Sequence, residues 1–267
     1  MGENGLETRT RKDEENKEMK PYYQDDFCTI YHGDCAEVLP EIGKVWAVVT
    51  DPPYGIGESS KRNASRTKPF GSKTALSSTQ IKAKDYGEFA WDDQPPALSL
   101  LTQLRAISDY QIIFGGNYFE LPPTSCILVW DKDNSGDFAD CELAWTNLKI
   151  AVRKLTYRWN GCIQETAGAE KELRVHPTQK PLAVMKWAMG FLPRDPGVIC
   201  DPFMGSGTTL IAARALGCES IGIERDERYC ELAVKRLSGK IGLTVGQEKN
   251  ARAREAGQLD LFKRANE

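Results

Sequence analysis

Val45-Trp46-Ala47-Val48-Val49-Thr50-Asp51-Pro52-Pro53-Tyr54-Gly55 is an apolar run that stops in an acid, two prolines, an aromatic and a glycine. The run from Val45 to Val49 reads as a buried parallel strand, because apolar residues continue without alternation. Neither proline donates to a sheet ladder, so the strand ends there. A stiff loop then carries one carboxylate and one flat ring at the strand's carboxyl end, the edge where open α/β sheets bind ligands. A carboxylate to hold an amino group and a ring to stack on a planar one suggest a nucleobase pocket. An isolated Asp-Pro-Pro would more often be a strand-to-turn exit, and it is the full tetrad that favours a pocket.

Outward from this stretch, strands and helices alternate. Phe27 to His32 is a short strand, Cys35 to Ile42 a helix, and Pro95 and Pro96 open a helix to about Ser108. Gln111 to Phe114 and Ile127 to Trp130 are further strands. Glu142 to Trp145 and Ala151 to Leu155 are weaker candidates, read as antiparallel strands, and 160–175 as a polar loop. Helices are expected over 182–191, 208–216 and 226–237, with strands at 198–200 and 220–223. This is an α/β fold with a mostly parallel sheet. It occupies 23–240, between a disordered arm (1–22) and a flexible tail (241–267).

Composition bounds the partners. The chain has 267 residues, 40% hydrophobic and 27% charged, ordinary for a globular protein. Eight cysteines are scattered with no Cys-x-x-Cys pair, which fits neither a zinc module nor a disulfide framework and suggests a reducing cytoplasm. No apolar stretch is long enough to cross a membrane. Net charge is −3, but Lys61, Arg62, Arg66, Lys68, Lys73, Lys82 and Lys84 crowd one acid-free segment within a basic insertion at 59–90. The rest has 28 basic against 38 acidic residues, −10. A basic segment directly after Tyr54 is suited to neutralising phosphates beside the pocket.

A second loop, Asp201-Pro202-Phe203-Met204-Gly205-Ser206-Gly207-Thr208-Thr209, joins a strand to a helix. Its glycines permit close backbone approach, and the helix start offers free N–H groups. Glu224 ends the next strand, where an acid accepts ribose hydroxyls. Leu210 stands where a dinucleotide fingerprint has its third glycine, and no Gly-Lys-Ser/Thr follows. The pattern points to an adenosine with a short anionic arm rather than a dinucleotide or a triphosphate, a shape that S-adenosylmethionine has.

The tetrad Asp51 to Tyr54, the segment His176-Pro177-Thr178-Gln179-Lys180-Pro181 and the Asp201–Thr209 loop together resemble the amino-methyltransferases of DNA, in the permuted beta order that puts the tetrad before the glycine loop. Phe114-Gly115-Gly116-Asn117-Tyr118 and Cys141-Glu142-Leu143-Ala144-Trp145 resemble stand-alone phage and prophage members. The resemblance runs from about Ile30 to Leu237. It implies a Rossmann-like fold, with a seven-stranded, mostly parallel sheet covered by helices on both faces. It further implies methyl transfer from S-adenosylmethionine to a flipped-out base in double-stranded DNA. Asp51 and Pro52 would accept hydrogen bonds from the target amine, with Pro53 and Tyr54 completing the tetrad and Tyr54 stacking on the base. On the cofactor side, Asp34 and Cys35 would border the adenine and Glu224 the ribose. Phe203, Gly205, Ser206, Gly207 and Thr208 would line the methionine arm, with Asp51 and Asp201 beside it. Thr178 and Lys180 would hold its carboxylate, and His176 either caps its loop or touches ligand.

The tetrad's aspartate favours adenine N6 over cytosine N4, whose enzymes more often have serine there. Protein-glutamine methylation, on an Asn-Pro-Pro-Tyr version of the fold, is disfavoured by the basic segment. RNA is a less favoured substrate. Gln258-Leu259-Asp260-Leu261-Phe262 resembles the peptide by which bacterial proteins dock on the replication sliding clamp. The expected assembly is a monomer or homodimer.

Overall fold

The computed structural model describes residues 19–56, 94–133, 139–160, 163–176, 178–194 and 197–253. The basic segment 59–84 and the pentapeptide 258–262 lie outside the described residues. In chain order the strands are β1 (Tyr23–Gln24), β2 (Cys28–His32), β3 (Val45–Thr50), β4 (Ser108–Phe114), β5 (Ile127–Asp131), β6 (Cys141–Thr146), β7 (Arg153–Thr156), β8 (Trp159–Asn160), β9 (Ile163–Gln164), β10 (Ile199–Asp201) and β11 (Ser220–Glu224). The α-helices are α1 (Cys35–Ile42), α2 (Leu98–Ala106), α3 (Leu182–Met189), α4 (Thr208–Ala215) and α5 (Glu227–Leu237).

The main sheet runs β1-β2-β11-β10-β3-β4-β6-β5-β7. The block β2-β11-β10-β3-β4 is parallel throughout, while β1, β6 and the β6–β5 pairing are antiparallel. Side-chain alternation along β3 feeds two cores. Val48 joins α1 and α2 on one face, and Ala47 and Val49 join α3 and α4 on the other. Helix α5 lies beside α4 and β2, packing Cys230, Ala233 and Leu237 against Ile30 and Leu210.

This layering positions the site. The chain leaves β3 through α2 on one face, and leaves β10 through α4 on the other. Adjacent strands therefore send their connections in opposite directions, which opens a crevice at their carboxyl ends. Registers Cys200↔Val48, Asp201↔Gly222 and Glu224↔His32 bring Asp51, Asp201, Glu224 and Asp34 to that edge.

Several expectations need correction. Among the described residues the sheet has nine strands, β1 and β7 extending the edges of a seven-stranded body. Strand β6 is antiparallel as expected, but β7 pairs parallel with β5. The loop 160–175 contains the β8–β9 hairpin, begun by the buried Trp159, and a short 3₁₀ turn at Gly168–Glu170. The chain does not leave the domain at 240. Leu173 and Lys171 exchange backbone hydrogen bonds with Leu243 and Val245 at 2.8 and 2.9 Å, and residues 245–253 are helical. At the other end, the Tyr22 amide donates to the Ile30 carbonyl at 2.8 Å and Met19 packs beside the α1–α2 core, so the arm is anchored by its last residues. Among the described residues, no helix is long and apolar enough to cross a membrane.

Candidate active site

The tetrad leaves β3 as the sequence requires, with Pro52 buried and Asp51 only partly so. The Tyr54 hydroxyl donates to Asp51 Oδ1 at 2.5 Å, folding the loop on itself. The Tyr54 ring stacks on Tyr118, centroids 4.8 Å apart and planes 15° from parallel, with Phe119 edge-on. Gly115 makes this approach possible. A Cβ there would lie 2.2 Å from the Tyr54 ring, and its φ of 71° is the left-handed region that side chains avoid.

The His-Pro segment meets the tetrad from behind. Lys180, 8% exposed, donates to Asp51 Oδ2 at 2.5 Å and to the Tyr54 hydroxyl at 3.2 Å, and its Nζ lies 2.9 Å from Glu142 Oε2. Glu142 in turn pairs with Lys132. Three oxygens thus lie within 3.2 Å of the ammonium nitrogen. Lys180, expected at a cofactor carboxylate, is engaged by two carboxylates of the protein. Burial pulls its pKa down, but those carboxylates more than offset this and hold it above the ordinary lysine range. Burial pushes Asp51 up from its usual value despite the lysine. Glu142 is also penalised by burial, yet Lys180 and Lys132 hold it at about 2.

His176 is buried between the glycine loop and Tyr229, whose ring it meets edge-on at 4.3 Å. Its Nδ1 lies 3.3 Å from the Thr178 amide and 3.2 Å from the Thr178 hydroxyl, and burial lowers its pKa to about 3, so the ring is neutral. Gln179 ties this turn to Glu172 through a 2.9 Å hydrogen bond, and Glu172 accepts from the first amide of α3.

On the other side of the crevice, Asp201 accepts from Thr50 Oγ1 at 2.7 Å and from the Phe203 amide at 3.1 Å, while burial pushes its pKa up to about 6. Glu224 accepts from the Gly205 and Asp226 amides at 3.0 and 2.8 Å, and burial nonetheless raises it to about 7. Asp34 caps α1 by accepting from the Ala36 amide. The Gly205-Ser206-Gly207 turn is held from below by Arg236, a buried residue of α5. Its Nη1 donates to the Ser206 carbonyl at 2.6 Å, the Ser206 hydroxyl at 3.0 Å and the Thr208 hydroxyl at 3.2 Å.

One cavity of about 750 Å³ joins these parts, from Asp34 and Glu224 past Phe203 and Gly205 to Asp51 and Lys180. That volume suits a cofactor-sized ligand. The residues fit an adenosine with a charged arm. A half-buried carboxyl faces the cavity at a strand end, a glycine turn opens onto it, and the start of α4 follows. Thr50, Glu142, Tyr118 and Arg236 were not singled out as site residues in the sequence. Arg236 left a signal there, since it stands on the α5 stripe that buries Cys230, Ala233 and Leu237.

A family model described as DNA methylase matches residues 130–235. The type II methyltransferase M2.LlaDCHI of Lactococcus lactis subsp. cremoris is 39% identical over 273 residues, covering 85% of this chain and 94% of that protein. M.HinfI of Haemophilus influenzae, also a type II methyltransferase, is 27% identical over 256 residues, covering 82% and 70%. Among solved structures, the cytosine-N4-specific PvuII DNA methyltransferase aligns with a TM-score of 0.51 at 14% identity, covering 86% of this chain and 92% of that one, a likeness of fold alone. The permuted constellation and the extent of the 39% match lead to one assignment: the chain belongs to the S-adenosylmethionine-dependent DNA methyltransferases of the adenine-N6 and cytosine-N4 class.

Proposed function

We propose that the protein methylates the N6 amine of adenine in double-stranded DNA. The observation that carries this reading is the Asp51 carboxylate at the crevice mouth, gripped by Tyr54 and Lys180. An exocyclic amine is a poor nucleophile because its lone pair is delocalised into the ring. Asp51 and the Pro52 carbonyl accept hydrogen bonds from its two N–H groups, draw the nitrogen toward a tetrahedral shape and stabilise the charge that develops there. Each Asp51 oxygen has a lone pair beyond the one it uses now. One of them takes the proton that the nitrogen sheds. Tyr54 stacks on the base, which reaches the crevice only when flipped from the duplex.

When bound, S-adenosylmethionine supplies a methyl carbon made electrophilic by its sulfonium. Glu224 would take the ribose hydroxyls, Asp34 and Cys35 the adenine edge, and Phe203 with the 205–208 turn the methionine arm. The basic residues Lys61 to Lys84 would bind DNA phosphates, and the 258–262 peptide would dock on the sliding clamp. Both of these last readings rest on sequence alone.

Nucleoside analysis of duplex DNA after reaction with the purified protein and S-adenosylmethionine tests the target. N6-methyladenine is expected, lost in Asp51→Ala with cofactor binding intact. Appearance of N4-methylcytosine in its place overturns the adenine reading. Loss of clamp binding in Leu261→Ala/Phe262→Ala tests the tail separately.

A further inference from the structure

Lys132, Glu142, Lys180 and Asp51 come from four separate segments, yet they form an unbroken line of alternating charge behind the tetrad. The line ends in the crevice, where Asp51 and Lys180 both line the cavity. Lys180 is confined. Its side chain is 9% exposed, with the rings of Tyr54 and Phe114 each 5.5 Å from its ammonium. A lysine with four rotatable bonds is a poor anchor alone, but two carboxylates and two rings leave this one a single position. Glu142, on the sheet rather than on a loop, supplies the fixed end.

We infer that Lys180 and Glu142 are positioning residues for methyl transfer, Lys180 aiming the Asp51 carboxylate into the base slot and Glu142 holding Lys180 in place. This rests on the reading of Asp51 as the acceptor for the target amine. It assigns Lys180 away from the cofactor's carboxylate and gives a function to a β6 acid outside the three motifs.

The arrangement has an electrostatic signature that packing alone lacks. The groups facing Asp51 are Lys180 and Glu142, the Tyr54 hydroxyl with Tyr118 behind it, and Asp201 from β10. With Lys132, the four-residue line sums to zero charge. Lys180→Met leaves it at −1, which makes Asp51 harder to ionise. Glu142→Gln leaves it at +1, which makes Asp51 easier to ionise. Single-turnover methylation by the full-length protein, measured against pH, reads both. The acid limb is expected to move up by roughly one unit in Lys180→Met and down in Glu142→Gln. Cofactor affinity is expected to stay within about twofold of the parent in both, and Lys180→Arg and Glu142→Asp to return the limb toward its original position.

Shifts of the same sign, or an unmoved limb in both variants, overturn the inference. So does a tenfold or greater loss of cofactor affinity in Lys180→Met with the limb unmoved, which would make Lys180 a cofactor ligand. If Lys180→Met does not fold, the Glu142→Gln and Glu142→Asp pair decides alone. Retained methylation in Asp51→Ala would instead remove the acceptor reading, a separate result from any of these.

Discussion

Thr50 and Asp201, 151 positions apart, meet through a 2.7 Å hydrogen bond between the ends of β3 and β10. The bond fastens the tetrad strand to the glycine-loop strand at the point where their connections diverge. Both side chains are fully buried or nearly so, and Asp201 is pushed up to about 6 by burial against the pull of Thr209, Thr50 and the Phe203 amide. Thr50→Val keeps the shape and removes the donor. A loss of about 1–3 kcal/mol is expected in denaturant titration, the cost of a buried acceptor stripped of a partner. The sign of its pH dependence follows from Asp201. The raised pKa means the ionised form is the costly one, so the variant's deficit should be larger at pH 8 than at pH 5.

Arg236 offers a second test, at the floor of the glycine turn. Burial lowers its pKa to about 10, so it remains a cation at neutral pH while holding Ser206 and Thr208. Arg236→Met fills most of the volume but leaves the Ser206 carbonyl without this donor. Stability should fall by about 2 kcal/mol, and cofactor affinity by roughly tenfold as the turn loosens, read by calorimetry on folded protein. Unchanged affinity would show that the turn needs no support from α5.

How much of this was legible in the sequence depended on chain length per element. The β3 run and its double proline announce strand and stop together, and Gly207 before α4 marks the turn that its φ of 78° requires. The region after Thr146 was harder because β7, β8 and β9 span only four, two and two residues, too short for a period to show. Side-chain partnerships were harder still. Lys180 was visible as a site residue, yet its partner Glu142 sits on strand β6 far along the chain, and nothing local in Cys141–Thr146 says which lysine it will meet. Arg236 follows Lys235 and reads as one more surface charge unless the apolar stripe of α5 is traced through it.

Gly115 is expected to act on chemistry rather than on the cofactor. In Gly115→Ala the new methyl enters the Tyr54 ring, and the left-handed backbone adds about 1–2 kcal/mol of strain. Tyr54 must move, and its hydroxyl carries one of the Asp51 hydrogen bonds. The methylation rate should drop at least tenfold, while cofactor affinity changes little because the ring stands apart from the 205–208 turn. A variant as fast as the parent would mean that Tyr54's present position is not the reactive one.

Glu224 should make cofactor binding depend on pH near neutrality. Burial raises its pKa to about 7 although two backbone amides donate to it. Ribose hydroxyls donate to the ionised carboxylate more strongly than to the neutral acid, so binding lowers this pKa and releases a proton. Affinity must then rise with pH, by roughly tenfold between pH 6 and pH 8 for a group titrating midway. Calorimetry of S-adenosylmethionine binding in buffers of different ionisation enthalpy counts the proton directly. Glu224→Gln, which cannot titrate, should bind more weakly at pH 8 and show a flat profile. A parent protein whose affinity is the same at both pH values, with no proton released, would remove Glu224 from the ribose.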